Sequence, residues 1–151
     1  MTYSSEFISL LQPQLTALRN RSKAIGAQHY MKDVAPFLGV QTPDRRNLVK
    51  KIAKELKIPS SAELGKTARA LWKLEEREFQ YAANDLISIH VASADSLFLE
   101  EHVEFLITHK SWWDTVDGLG SSAVSPLTDK FGCEKLIEKW NKSSNIWLNR
   151  A

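Results

Sequence analysis

Apolar residues recur along this chain at three- and four-residue steps, and no segment alternates with the period of two that a strand requires. Phe7, Leu10, Leu11 and Leu15 form a first stripe, with Pro13 inside it as a point of kinking or restart. A short second helix is predicted over about 23–32, and a loop carrying Pro36 and Gly39 over 35–41. Thr42-Pro43-Asp44 then reads as a helix start, with a cap, a proline at the first helical position and an acid in the first turn. That third helix is predicted to run to about Leu56. Leu48, Val49, Ile52 and Leu56 turn inward and the basic residues turn the other way.

Ser60 and Glu63 have the spacing of a capping box, opening a helix to about Leu74. The pattern predicts further helices over 76–91, with Phe79, Ala82, Ala83, Leu86 and Ile87 buried, and over 97–109, with Leu99, Val103 and Leu106 inward. Another begins at the Trp-Trp pair of residues 112 and 113, loosened by Gly118 and Gly120, and a short one covers 135–140. The last, over 145–151, has no stop signal, so the apolar pattern predicts that the chain is the amino-terminal part of a longer domain. Short loops between so many helices of modest length predict an all-α architecture of antiparallel helix pairs stacked as a solenoid, in one domain over 1–151. Any repeat is degenerate, because no fixed period is visible.

At 151 residues the chain is long enough to bury a substantial core. Its net charge of +2 does not by itself announce a nucleic-acid binder, but the distribution does more. From Arg19 to Lys57 there are ten Lys or Arg against three acids, which makes one face of the amino-terminal third positive. A single cysteine, Cys133, excludes an intrachain disulfide, and the four histidines have no zinc-site spacing. No apolar run has the length of a membrane span, and a reducing, cytoplasmic setting is the simplest expectation.

Chemistry concentrates in Ser111-Trp112-Trp113-Asp114-Thr115-Val116-Asp117. Read as a helix start, Ser111 is the cap and Asp114 returns a capping-box hydrogen bond, which assigns Asp114 a local structural role. Asp117 has no such role and shares a helical stripe with Trp113, an aromatic-plus-carboxylate pair suited to stabilising positive charge. A pair of core tryptophans with a solvated aspartate is the competing reading. Trp72, Trp140 and Trp147 are assigned to packing, and Glu76 and Glu78 to structural bonds with neighbouring helix starts. His109 and Lys110 precede the motif with no assigned role.

Five segments together resemble the AlkD-like DNA alkylation repair family of HEAT-like alkylpurine DNA glycosylases. They are residues 29–32 (HYMK), 37–46 (FLGVQTPDRR), 74–80 (LEEREFQ), 110–117 (KSWWDTVD) and 145–151 (NIWLNRA), in family order over nearly the whole chain. The resemblance implies a HEAT-like superhelical solenoid and a metal- and cofactor-free hydrolase. Its substrate would be duplex DNA carrying cationic N3- or N7-alkylated purines, with no membrane and no obligate protein partner. It implies Asp117 as the catalytic carboxylate, Trp113 against the lesion sugar, Arg150 on the DNA backbone at the lesion and Tyr30 lining the same cleft. A further cleft tryptophan of the family lies beyond the segment this chain covers. For the basic third, Thr42 at a helix start is a candidate phosphate contact that Arg45, Arg46, Lys50 and Lys51 extend, with Gln41 reaching from the preceding loop. Two other function classes remain open at this point: a module that binds distorted or branched DNA without cleaving it, and a protein-interaction solenoid.

Overall fold

The computed structural model describes all residues, Met1–Ala151, and every regular element in it is helical. The helices are α1 (Tyr3–Ala17), α2 (Arg21–Tyr30), α3 (Thr42–Glu55), α4 (Ser61–Trp72) and α5 (Arg77–His90). A π-helical turn (Leu99–Val103) then runs directly into α6 (Glu104–Thr108). A second continuous rod comprises α7 (Trp113–Leu119), a π-helical turn (Gly120–Val124) and α8 (Ser125–Phe131), followed by α9 (Glu134–Asn141) and α10 (Ile146–Arg150).

Local sequence accounts for many of these boundaries. Ser60 Oγ accepts the Glu63 N–H at 3.1 Å while Glu63 accepts the Ser60 N–H at 3.0 Å, the expected reciprocal cap. Pro13 lies inside α1 without ending it. The predicted buried stripe of α5 is fully buried, as are Phe7, Leu11, Leu15, Val49 and Ile52. Trp72 and Trp140 are core residues whose indole N–H groups are satisfied by His109 O and a Glu104 carboxylate oxygen, both near 2.8 Å (2.8 and 2.7 Å).

Two predicted caps fall elsewhere. The α3 cap position belongs to Gln41, whose carbonyl accepts the Arg45 N–H, so Thr42 is already helical and caps nothing. Ser111 is not the cap of α7 either. Its hydroxyl donates back to the Ile107 carbonyl, closing the end of the preceding helix, and the extended residue that starts α7 is Trp112.

The helices stack in two layers. The outer layer holds α1, α4 and the Leu99–Thr108 rod; α3, α5 and α7 with its π-helical continuation lie side by side in the inner layer. Paired outer and inner helices are the arrangement of a helical-repeat solenoid, and one core of 30 buried residues runs through it. The inner layer brings α3, α5 and α7, distant in sequence, onto one surface.

Candidate functional site

That surface carries a cleft of about 850 Å³ whose walls are α3 on one side and α7 on the other, with α5 as the floor. Six of the expected site residues line it: Thr42, Arg45, Arg46, Lys50, Trp113 and Asp117. Tyr30 joins through Trp113, its ring meeting the indole edge-on at 6.1 Å, and is 69% exposed at the end of α2. Arg150 joins through Asp117. Gln41 is exposed at the α3 cap beside Thr42 but does not line the cleft.

The two aspartates of the Trp-Trp segment have opposite environments. Asp114 accepts from Arg77 Nη2 at 2.7 Å and Nε at 3.0 Å, from the Tyr81 hydroxyl at 2.5 Å and from the Thr115 N–H at 2.8 Å. Burial disfavours its charge, yet the hydrogen bonds from Arg77 and Tyr81 outweigh that and hold its carboxyl below the usual aspartate range. Burial, then the bond to Asp114, pushes the Tyr81 phenol up, so it remains a donor. Asp114 is structural as expected, but through a cross-helix ion pair with Arg77, which is 1% exposed, and not through a capping box.

Asp117, one turn on, is open to the cleft and about half exposed, with a side chain 48% accessible. Arg150 donates to it twice, Nε to Oδ1 at 2.7 Å and Nη2 to Oδ2 at 2.8 Å. These hydrogen bonds hold the Asp117 carboxyl below its ordinary range despite slight desolvation, so it is an anion at neutral pH. The guanidinium has further N–H groups that this contact does not use.

The opposite wall corrects one expectation. Arg45 does not face outward with its neighbours. It is 6% exposed, its Nε donates to Asp85 at 2.7 Å, and its guanidinium lies 5.2 Å from the Tyr81 ring centre. Its charge is committed inside the protein, because position 45 precedes Leu48, Val49 and Ile52 by three, four and seven residues and shares their buried face. Arg46 and Lys50 are the exposed cations of this wall; Arg46 only brushes Asp85 at 3.6 Å.

The floor was not anticipated from sequence. Arg77, Tyr81, Asn84, Asp85 and Ser88 fall on one stripe of α5 at three- and four-residue steps, a polar line on an otherwise apolar helix. That stripe was the available signal. Its first turn also carries Glu78, 1% exposed, which accepts the backbone N–H groups of Leu38 and Gly39 at 2.8 Å and Val40 at 3.2 Å. Glu78 is structural as expected, and the group it binds is the loop entering α3, not a helix start. Adjacent residues Arg77 and Glu78 therefore tie both walls of the cleft to its floor. On the far side, Trp112 packs against Trp147 at 5.9 Å, which ties α10, and with it Arg150, to the start of α7.

No group of three or more His, Cys, Asp or Glu side chains is arranged to share a metal ion, and no helix is long and apolar enough to cross a membrane.

Residues 11–151 match the family model described as DNA alkylation repair enzyme. Among solved structures the chain is similar to a predicted DNA alkylation repair enzyme from Enterococcus faecalis, at 30% identity and a TM-score of 0.70. The match covers 87% of this chain and 62% of that one, so this chain spans less than two thirds of that relative's length. No protein of curated function matches the sequence.

Proposed function

The chain belongs to the DNA alkylation repair enzyme family, and from that premise we propose that it is a DNA glycosylase acting on duplex DNA that carries cationic N3- or N7-alkylated purines. The observation that carries this reading is the division of labour between the two aspartates. Asp114 is consumed by Arg77 and Tyr81, whereas Asp117 presents an ionised carboxylate to a cleft walled by Trp113 and by the cations of α3.

The proposed chemistry needs few groups. A cationic purine is already a good leaving group, so no general acid must protonate it, unlike ordinary glycoside hydrolysis with its two carboxylates. The C1′–N bond breaks with its electron pair passing to the base, which becomes neutral. Water oxygen bonds to C1′ and its proton leaves by way of Asp117 to solvent. Asp117 stabilises the positive charge that develops on the sugar and orients the water. The negative face of the Trp113 ring adds to that stabilisation, and Tyr30 packs against Trp113 with its ring nearly perpendicular.

Positioning falls to the phosphate contacts. Arg46, one turn into α3, and Lys50, a turn further along, supply exposed charge, and Thr42 and Gln41 stand at the amino terminus of that helix. Arg150 can hold a phosphate through its unused N–H groups while still gripping Asp117, which would set the distance between the backbone and the carboxylate. An open cleft on a solenoid face suits a lesion read from the backbone, without extrusion of the base into a deep pocket.

The test is release of 7-methylguanine from methylated duplex DNA by the wild-type protein and by Asp117→Asn. The substitution is expected to abolish release and leave DNA binding intact or slightly tighter. Parallel loss of both would contradict the catalytic assignment. Binding without release by either protein would favour a non-catalytic module for distorted or branched DNA.

A further inference from the structure

Gly118 follows the cleft aspartate directly and sits within α7, where glycine weakens a helix relative to alanine. Its backbone needs no left-handed conformation, so the reason for glycine is space. A Cβ at position 118 would lie 2.8 Å from Asn84 Nδ2 and 3.2 Å from its Cγ. The Asn84 carboxamide therefore lies across the bare backbone of α7, one residue from Asp117, and both residues line the cleft. One end of the amide is engaged: Oδ1 accepts from the Ser122 hydroxyl at 3.3 Å. The Nδ2 end donates to no protein group and is not closed off from solvent. An amide donor without a protein partner, lining the same cleft as the Asp117 carboxylate, is available to hold a small polar ligand there.

We propose that Asn84 is a second water-positioning residue of this site, an assignment that rests on the glycosylase reading above. Asp117 accepts a hydrogen bond from the attacking water, and the Asn84 Nδ2–H donates to one lone pair of the same water. The other lone pair is then directed at C1′. As the water oxygen bonds to C1′, the C1′–N bond breaks with its electrons passing to the cationic base, and the water proton passes through Asp117 to solvent. Asn84 neither gains nor loses a proton. Two contacts fix a water's direction where one leaves it free to rotate, and misplacement by about 1 Å costs on the order of 100-fold in rate. Gly118 is the structural condition for this, because any side chain there pushes the carboxamide away, and Ser122 holds the amide's orientation.

Single-turnover release of 7-methylguanine from duplex DNA by Asn84→Ala, Gly118→Ala and the double variant tests the assignment, with DNA affinity and thermal stability measured alongside. Asn84→Ala and Gly118→Ala are each expected to slow release by about 100-fold at unchanged DNA affinity. Gly118→Ala should do so without loss of stability, since alanine favours the helix. Because both changes act on one amide, the double variant should be no slower than Asn84→Ala alone. Wild-type rates in either single variant, or losses that multiply in the double variant, would overturn the role of Asn84 while leaving the glycosylase reading in place. A wild-type protein that releases no base overturns that reading and this assignment with it.

Discussion

The guanidinium of Arg150 meets the carboxylate of Asp117 with two hydrogen bonds, one to each oxygen, 2.7 and 2.8 Å long, across 33 residues of sequence. Bidentate geometry of this kind fixes direction as well as charge. It orients the one carboxylate that the cleft leaves open, and it keeps that carboxylate ionised.

A pH dependence follows from this contact. Arg150, by hydrogen bond and charge, lowers the Asp117 pKa, so the carboxylate persists to pH values below the ordinary aspartate range. The acid limb of kcat/KM, which reports the free enzyme, should therefore lie below that range in the wild type. In Arg150→Ala the limb should move upward toward an ordinary aspartate, with activity lost at higher pH than before. A limb that stays in place would show that the titrating group is not Asp117.

The Arg77–Asp114–Tyr81 cluster should govern stability more than chemistry. Asp114→Ala strands a guanidinium that is 1% exposed, and removing one member of such a buried pair costs about 3–5 kcal/mol. Tyr81→Phe deletes one hydrogen bond to a charged acceptor, at about 1.5–3 kcal/mol. The folded-state pKa of Asp114 is depressed, so its contribution is complete above the unfolded aspartate value and is lost as pH falls through the folded one. Urea unfolding from neutral to acid pH should show this loss in the wild type and a shallower acid slope in Asp114→Asn. Equal slopes would remove Asp114 from the account.

The three α3 cations that line the cleft, Arg45, Arg46 and Lys50, should separate by assay. Arg46→Ala and Lys50→Ala are expected to weaken DNA binding and each to flatten its salt dependence, by about 0.9 in log Kd against log salt per lost phosphate contact. Neither should change the melting temperature much, because both side chains are exposed. Arg45→Ala should reduce stability by about 1–3 kcal/mol, toward the lower end because Arg46 stands 3.6 Å from the same Asp85 carboxylate. Arg45→Ala with full stability and a flattened salt slope would reverse the assignment of this wall.

The sequence by itself determined the helices, their buried faces and the placing of two aspartates one turn apart beside the Trp-Trp pair. All three depend on residues within about two turns of one another. Apolar spacing places Phe79, Ala82, Ala83, Leu86 and Ile87 on one side of a helix wherever that helix packs, and the Ser60–Glu63 cap closes on itself. Local pattern was less secure at Ser111 and Thr42. There the hydroxyl or carbonyl that defines a helix end had competing partners one residue or one turn away.

Only the tertiary structure decided what meets across the cleft. Arg45 stands on the apolar stripe of α3, a position that announces a buried partner without naming it, and the partner is Asp85, 40 residues on. Arg77 finds Asp114 over 37 residues, Glu78 finds the loop at 38–40, and Asn84 finds Gly118. Helical periodicity says which side of a helix faces inward. It says nothing of which helix waits there, because that depends on how α3, α5 and α7 come to lie side by side. The cleft is a property of that stacking. Its charges were visible in the sequence, but their division into buried clamps and exposed chemistry came from which of them the stacking excludes from water.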